Sequence, residues 1–513
     1  MDHGASAILA ATAFRSGRLN YGEPMSQGIL AKLDHHATTR PDAAAVVCVG
    51  GGARDLTWSQ LRQQTLAAAA WVRDHTDPDG VVALVSRNRP AMAAVFLGVL
   101  RAGRTLFPLD AALTEVEIDA LAARAGVTCV LADAPAAARL TRGAVPLTDV
   151  LCSDPGAAGP DRSRDAWLLL QSSGTTGGPK IVRRSGPSLD AVAHNVAHAA
   201  GLTPADRVVA AVPLNHSYGL ENALLAPVFA GSSMLHHVPA DETHGPQRFA
   251  PQAVLNAGAT VLPGVPSMFE MILAGPAGCG GLRLAYSAGA PLPAALADAL
   301  RARDGLALGT LYGATEIGSV TFAATRSGDD AVGRPMRGVS VRVVDPDHPD
   351  RDLAEGAVGH LAVRAPSMFD GYLGVGDDRL TTGHFLTGDL GRVDPDTGEV
   401  VVTGRLKLLI DVGGRKVNPA EVEHAIADHP DVAECVVLPD PVSPTINRVK
   451  AVLTAAPGRD APDARALRAF LKARLAAHKL PRSVEVVDAM PKSATGKILR
   501  GRLVTADAAE NAE

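Results

Sequence analysis

One alternation constrains this chain more than any other feature. From Asp42 to Gly201, short runs rich in valine, isoleucine and leucine are separated by alanine-rich stretches of helical length. VVALVS at Val81–Ser86 reads as a buried strand, RPAMAAVFLGVLRAG after it as a helix, and TCVLAD at Thr128–Asp133 as another strand. A strand that is apolar on both faces must be covered on both, and a helix returning over the sheet does this. The rhythm therefore predicts βα units around a parallel sheet. A second series repeats the plan: RVVAAVPL, a helix beginning near Gly219, GSSMLHH, a helix through Val254, TVLPGV, LRLAYSAG, a helix over Ala294–Arg303, and LALGTLYG. After Ala331 come short strands with turn signals, VSVRVVDPD, GHLAVRAP and the hairpin VDPDTGEVVV, which predict a small, mainly β unit. From Lys407 the pattern changes again. PAEVEHAIADH is a helix with Pro419 in its first turn, AECVVLPD and VKAVLTAA are strands, DARALRAFLKARLAAH is an amphipathic helix and SVEVVDAM a last strand.

The predicted class is α/β. A large N-terminal domain, 1–406, holds two α/β subdomains (about 1–200 and 201–330) and a β subdomain (331–406), and a small α+β domain follows over 407–513. A length of 513 residues agrees with several folding units. With 47% hydrophobic and 20% charged residues the composition is that of a globular chain. A net charge of −5 without any basic block excludes a dedicated nucleic-acid binder or a polybasic membrane anchor.

The N-terminus opens with an acid and lacks the basic start and apolar stretch of a secretory signal. The longest core-like run, Ala91–Leu100, is too short to span a bilayer. Cys48, Cys129, Cys152, Cys279 and Cys435 stand far apart with no C-x-x-C pair, which argues against a disulfide framework or zinc site and for a reducing cytoplasm. Only nine lysines stand against forty arginines, a bias matching a GC-rich bacterial genome, so a lysine kept here is informative.

QSSGTTGGPK at Gln171–Lys180 lies between AWLLL and a second short strand, IVRR. Three glycines among four hydroxyl side chains and a lysine form a loop whose N–H and O–H groups can wrap phosphate oxygens. It is not a Walker A loop, because Pro179 precedes Lys180 and Ile181 follows it. In isolation, such a loop would read as a surface hairpin.

The wording SSGTTGGPK resembles the phosphate loop of the class I adenylate-forming superfamily, which includes acyl-CoA synthetases, adenylation domains and luciferase-like enzymes. Further segments resemble that family in order: PLNHSYGLEN (Pro213–Asn222), SAGAPLP (Ser287–Pro293), YGATEIG (Tyr312–Gly318), TGDLGRVD (Thr387–Asp394), GRLKLLIDVGGRKVNPAEVE (Gly404–Glu423) and PKSATGKILR (Pro491–Arg500). The resemblance spans nearly the whole chain and is closest in wording to acyl-CoA synthetases. It implies doubly wound subdomains and a mobile C-terminal lid hinged near Lys407.

The resemblance also implies an activity. ATP and Mg²⁺ activate a carboxylic acid as acyl-AMP with release of pyrophosphate, and the acyl group then passes to the thiol of coenzyme A. The chemistry accounts for the residue types, because a carboxylate must be brought against an α-phosphate that is itself negative. Ser172, Ser173, Gly174, Thr175, Thr176, Gly177 and Lys180 are assigned to the phosphates, and Glu316 with Thr176 to the metal. Gly289, Ala290, Pro291, Gly313 and Thr315 border the adenine, and Tyr312 offers it a flat face. Asp389 suits the ribose hydroxyls and Arg405 the ribose or phosphate. Lys497 is the catalytic cation, placed between carboxylate and α-phosphate where charge is shared in the transition state. Gly413 and Gly414 are expected to line the channel for the pantetheine arm, with Arg415 and Lys416 nearby. Many relatives carry an acid immediately after the hinge; here it is Leu408, which bears on the second half-reaction.

His216, Ser217, Tyr218, Gly219, Val265, Ala288, Gly289, Gly313, Ala314 and Ile317 are expected around the acyl group. Amino-acid-activating members place an aspartate in the segment matching Asn215–Tyr218. None stands there, so an aromatic, alicyclic or medium-length acid is favoured over an α-amino acid. The pairs His35/His36 and His236/His237 lack metal-ligand spacing and read as surface or packing residues. The runner-up activity loads a carrier-protein phosphopantetheine or stops at the adenylate, although no room exists for the insertion typical of fatty acyl-AMP ligases. A reading of another class, a silent nucleotide sensor, would be marked by loss of Glu316, Asp389 or Lys497, and all three are present. A monomer or homodimer is expected.

Overall fold

The strand Val81–Val85 is flanked by Thr105–Leu109 on one side and Val127–Ala132 on the other, all parallel. It illustrates how the first sheet is built. Val82 and Leu84 point into one core and Ala83 and Val85 into another, so both faces are buried, as the unbroken apolar run requires. The structure is a computed structural model describing residues 28–141, 143–172, 180–238, 249–279, 281–328, 330–374, 380–412, 415–443, 446–472, 474–475, 477–492, 498–500 and 502–503.

The first sheet has six strands in the order Val145–Pro146, Val127–Ala132, Val81–Val85, Thr105–Leu109, Trp167–Ser172, Lys180–Ser185. Its last pair is an antiparallel hairpin. The second sheet has nine strands, with Val261–Gly264, Leu284–Ser287 and Leu308–Ala314 parallel at its centre. The helices Trp58–His75, Pro90–Arg101 and Gly186–Ala199 share one core with strands of both sheets, which binds the two layers together. Local chemistry sets the helix ends: Thr57 and Gln60 form a capping box before Trp58–His75, as Thr114 and Glu117 do before Glu115–Ala125.

Sheet membership does not follow sequence order. Ala44–Val49, from the first of the expected subdomains, pairs in parallel with Ser233–His237 of the second sheet. Pairing between strands almost two hundred residues apart leaves no local trace. Beyond it, an antiparallel five-stranded sheet includes Ser340–Val344, Gly359–Arg364, His384–Val393 and Val400–Arg405. The C-terminal part carries a three-stranded sheet (Val432–Ser443, Ile446–Ala455, Ser483–Val486) over a core of its own. The amphipathic helix there is Ala464–Leu471, shorter than its sequence pattern. No helix among the described residues is long and apolar enough to cross a membrane.

Candidate active site

The strands Val261–Gly264, Leu284–Ser287 and Leu308–Ala314 run in the same direction, so Val265, Ala288 and Tyr312–Ala314 come together at their carboxyl ends. This is where an open α/β sheet offers a crevice. Ser172 ends the strand Trp167–Ser172 and pairs with Lys180, so the hairpin holds both ends of the glycine-rich loop in register. The loop residues Ser173, Gly174, Thr175, Thr176 and Gly177 lie outside the described residues.

Lys180 and Glu316 meet through a residue that the sequence reading did not single out. The Lys180 Nζ lies 4.4 Å from the centroid of the Tyr372 ring, and the Tyr372 hydroxyl donates to Glu316 Oε1 at 2.8 Å. Both Tyr372 and Glu316 are buried. Segment 370–373 adds itself to the edge of the Lys180–Ser185 strand, with the Leu373 amide on Ile181 O, the Arg183 amide on Gly371 O and the Asp370 amide on Arg183 O. Tyr372 is thereby fixed to the same strand that bears the lysine.

A second cluster surrounds Asp389, which is 3% exposed. Its Oδ1 lies 2.7 Å from Arg405 Nε and its Oδ2 accepts the Tyr312 hydroxyl at 2.7 Å. The register of the antiparallel pair places Asp389 directly opposite Arg405. Enclosure of the Tyr312 phenol, and then the charge of Asp389, push its pKa well above the ordinary value. The phenol therefore stays a donor that orients the carboxylate, a use of Tyr312 additional to the flat face expected of it. The Gly388 amide donates to His360 Nε2 at 2.8 Å, which requires that nitrogen to be unprotonated. Burial lowers the His360 pKa in agreement, with Asp389 opposing.

Around the expected acyl segment the assignments divide. His216 precedes the short helix Ser217–Leu220 and keeps solvent contact, yet crowding by the protein lowers its pKa, with Asp110 opposing. Ala288 and Val265 are buried beneath the crevice, whereas Gly289, in the left-handed region at φ +82°, is exposed beside Ala290 and Pro291. The Tyr218 hydroxyl is taken by backbone, donating towards Gly264 O at 3.0 Å and Tyr286 O at 3.3 Å. Ser217 Oγ donates to Glu221 at 2.6 Å. Both hydroxyl protons are therefore committed within the protein.

One expectation needs correction. Ile317 is fully enclosed among Val182, Val320 and Phe369, so it supports the site from behind instead of lining the crevice. A Cβ on Gly313 would collide with Gly318 O, and one on Gly219 with Pro213 O, so both positions need glycine for close backbone approach. Ala314 and Thr315 stay partly exposed on the turn before Glu316.

Lys497, Gly413 and Gly414 lie outside the described residues. The flanks of Lys497 are anchored: Lys492 bridges Ile498 and pairs with Glu434 at 2.6 Å, and Arg500 pairs with Glu423 at 2.7 Å. Lys407 lies in the one-turn helix Leu406–Leu408 that follows Arg405 directly.

The family described as AMP-binding enzyme matches residues 33–373, and its C-terminal domain matches 421–497. The chain belongs to the AMP-binding enzyme family. This AMP-binding enzyme is 31% identical over 504 residues to a feruloyl-CoA synthase of an Amycolatopsis species, covering 93% of this chain and 99% of that one. A fatty acid–acyl-carrier-protein ligase of Streptomyces coeruleorubidus is 30% identical over 516 residues, covering 94% and 96%. The crystal structure of ATP-bound MatB from Rhodopseudomonas palustris superposes with a TM-score of 0.83 at 27% identity, covering 94% of this chain and 99% of that one.

Within this AMP-binding enzyme the residues missed by sequence reasoning are Tyr372, Arg184 and Glu221. The last two form a fully buried ion pair, with side-chain exposures of 0% and 1%. A signal existed: Arg184 in IVRRS and Glu221 in YGLENALL interrupt apolar runs with opposite charges, and a charge kept at a buried position implies a partner.

Proposed function

We propose that the protein is an AMP-forming acyl-CoA synthetase acting on a carboxylic acid that is not an α-amino acid. The observation that carries this reading is a pair of clusters, Lys180–Tyr372–Glu316 and Tyr312–Asp389–Arg405, in a chain whose full-length relatives include CoA ligases. The first cluster sets a cation and a carboxylate at the base of a glycine-rich loop, where they would serve the phosphates of ATP. The second presents a preoriented carboxylate, which would take the ribose hydroxyls, beside a guanidinium.

Glu316 supplies a hard oxygen donor suited to Mg²⁺, which ordinarily takes one or two carboxylates and completes its shell with phosphate oxygens and water. Glu316 and Thr176 would hold it, and a bound Mg²⁺ would spread the negative charge of the phosphates. Lys180 would steady the departing pyrophosphate, and Lys497, brought in by the C-terminal domain, would lie between the attacking carboxylate and the α-phosphate. The attack forms the C–O–P link of the acyl-adenylate and expels pyrophosphate. The thiol then displaces AMP, and Gly413 and Gly414 would let the pantetheine arm approach the backbone. The only acid in the acyl segment, Glu221, is neutralised by Arg184, so no free anion awaits a substrate ammonium.

The test incubates purified protein with ATP, Mg²⁺, an acid panel and either coenzyme A or a holo-carrier protein. Carboxylate-dependent exchange of labelled pyrophosphate into ATP, and an acyl-CoA identified by mass spectrometry, are expected. Acylation of the carrier protein alone would replace the acceptor. Absence of exchange across aromatic, alicyclic and medium-chain acids would overturn the enzymatic reading.

A further inference from the structure

The parallel strands that carry Ser172 to one end of the first sheet leave an open cleft of about 350 Å³ at the other. Val81, Thr105 and Trp167, each the first residue of its strand, wall it together with Arg104, Leu169 and Leu373. Trp167 and Ser172 stand five residues apart on one strand, roughly 17 Å at the rise of an extended chain, so this cleft is separate from the crevice at the carboxyl ends. Arg183 pairs across the hairpin with Leu169, and Trp167 lies two residues back on the same face, so side chains from both strands converge there.

The charges of the cleft do not balance. Arg104, Arg162 and Arg183 line it against Asp79 and Asp165, a surplus of one positive charge. Arg162 is taken by Asp165 at 3.1 Å, whereas Arg183 lies over the Trp167 ring at 4.5 Å. Among the described residues neither Arg183 nor Arg104 forms an ion pair. Arg104 is only 6% exposed, and its partners are all neutral: the Thr76 hydroxyl on Nε at 3.3 Å, Ala102 O on Nη1 at 3.1 Å and Thr76 O on Nη2 at 3.3 Å. A guanidinium carries five N–H donors, so one remains on each Nη. Burial and then the charge of Arg162 lower the Arg104 pKa, with Asp77 and Asp79 opposing. Guanidiniums crowded at a half-enclosed place, with donors to spare, are what an anion would relieve.

We infer that this cleft binds a small organic monoanion, a carboxylate borne on an apolar body. The carboxylate meets Arg104 and Arg183, whose forked donors match its two oxygens, and the body lies against Leu169, Leu373 and Trp167. One surplus charge suits one anionic group, and the volume is that of a small-molecule site. The inference goes beyond the ligase reading and does not depend on it.

The probe is 4-iodobenzoate, with neutral 4-iodobenzamide as its isostere. In crystals soaked with the acid, the anomalous signal of iodine is expected in the cleft, whether or not a second molecule occupies the crevice. In solution, iodine beside Trp167 is expected to quench tryptophan emission saturably. The midpoint should rise about tenfold in Arg183→Gln, and the amide should bind about tenfold more weakly than the acid, the loss of one charge-assisted contact. Arg162 is half exposed, so Arg162→Gln carries the same comparison if Arg183→Gln does not fold. No iodine in the cleft, equal binding of acid and amide, or an unchanged midpoint in the folded variant overturns the inference. Pyrophosphate exchange, measured alongside, bears on the ligase reading alone.

Discussion

Replacing Tyr372 by phenylalanine removes one oxygen and leaves the ring in place, which separates the two contacts this residue makes. The lost contact is the 2.8 Å hydrogen bond to Glu316 Oε1, between groups that are both buried. A hydrogen bond to a charged acceptor contributes about 1.5–3 kcal/mol, which corresponds to about 10- to 160-fold in kcat/KM if the carboxylate must hold its place in the transition state. The retained contact, Lys180 over the ring face at 4.4 Å, contributes about 0.5–2 kcal/mol. Tyr372→Leu loses both and is expected to fall further, by about 2- to 30-fold beyond the phenylalanine variant. The assay is pyrophosphate exchange at saturating acid with ATP and Mg²⁺ varied, beside thermal unfolding of each variant. A raised Mg²⁺ requirement is expected for Tyr372→Phe, because a carboxylate free to turn binds the ion less well. Wild-type kcat/KM in Tyr372→Phe at every Mg²⁺ concentration would refute the positioning role of the phenol.

Lys497→Ala is expected to slow adenylation by orders of magnitude while a supplied acyl-adenylate still acylates the thiol; equal loss in both half-reactions, measured separately, would show that the cation has another role. Asp389→Asn removes the charge that Arg405 and Tyr312 converge on and should raise the dissociation constant of ATP about tenfold by calorimetry, with little change in the thiol step once the adenylate is supplied. Asp206 carries a pH prediction. Burial alone would raise its carboxyl, but hydrogen bonds from Arg283, Thr203 and Thr260 hold it at about 2, below the ordinary 3.8. Its stabilisation, about 2 kcal/mol, is present above pH 4 and is lost as pH falls towards 2. Chemical unfolding followed between pH 5 and 2 should show a shallower acid limb in Asp206→Asn, and parallel limbs would contradict the assignment.

Periodicity carried most of the architecture. The run Val81–Ser86 reads as a buried strand, and Val81–Val85 folds as one with both faces covered, because side-chain alternation acts over a few residues. What escaped were contacts between distant segments. Ala44–Val49 enters the second sheet through a partner strand at Ser233–His237, and no local property announces that pairing. The placement of Tyr372 was equally hidden, since DGYLG reads as an ordinary turn until it is seen joined to the edge of the lysine-bearing strand.

Taken alone, the amino-acid order determined the α/β class and the order of the motifs, because each depends on short-range patterns of side chains. Tertiary structure decided what those residues lean on: the phenol between Lys180 and Glu316, the Tyr312 hydroxyl on Asp389, and the buried Arg184 held by Glu221. The division has one physical cause. Backbone preferences and hydrophobic period act over a few residues, whereas desolvated charges and hydrogen bonds select partners by proximity in space, which the chain acquires only when it folds.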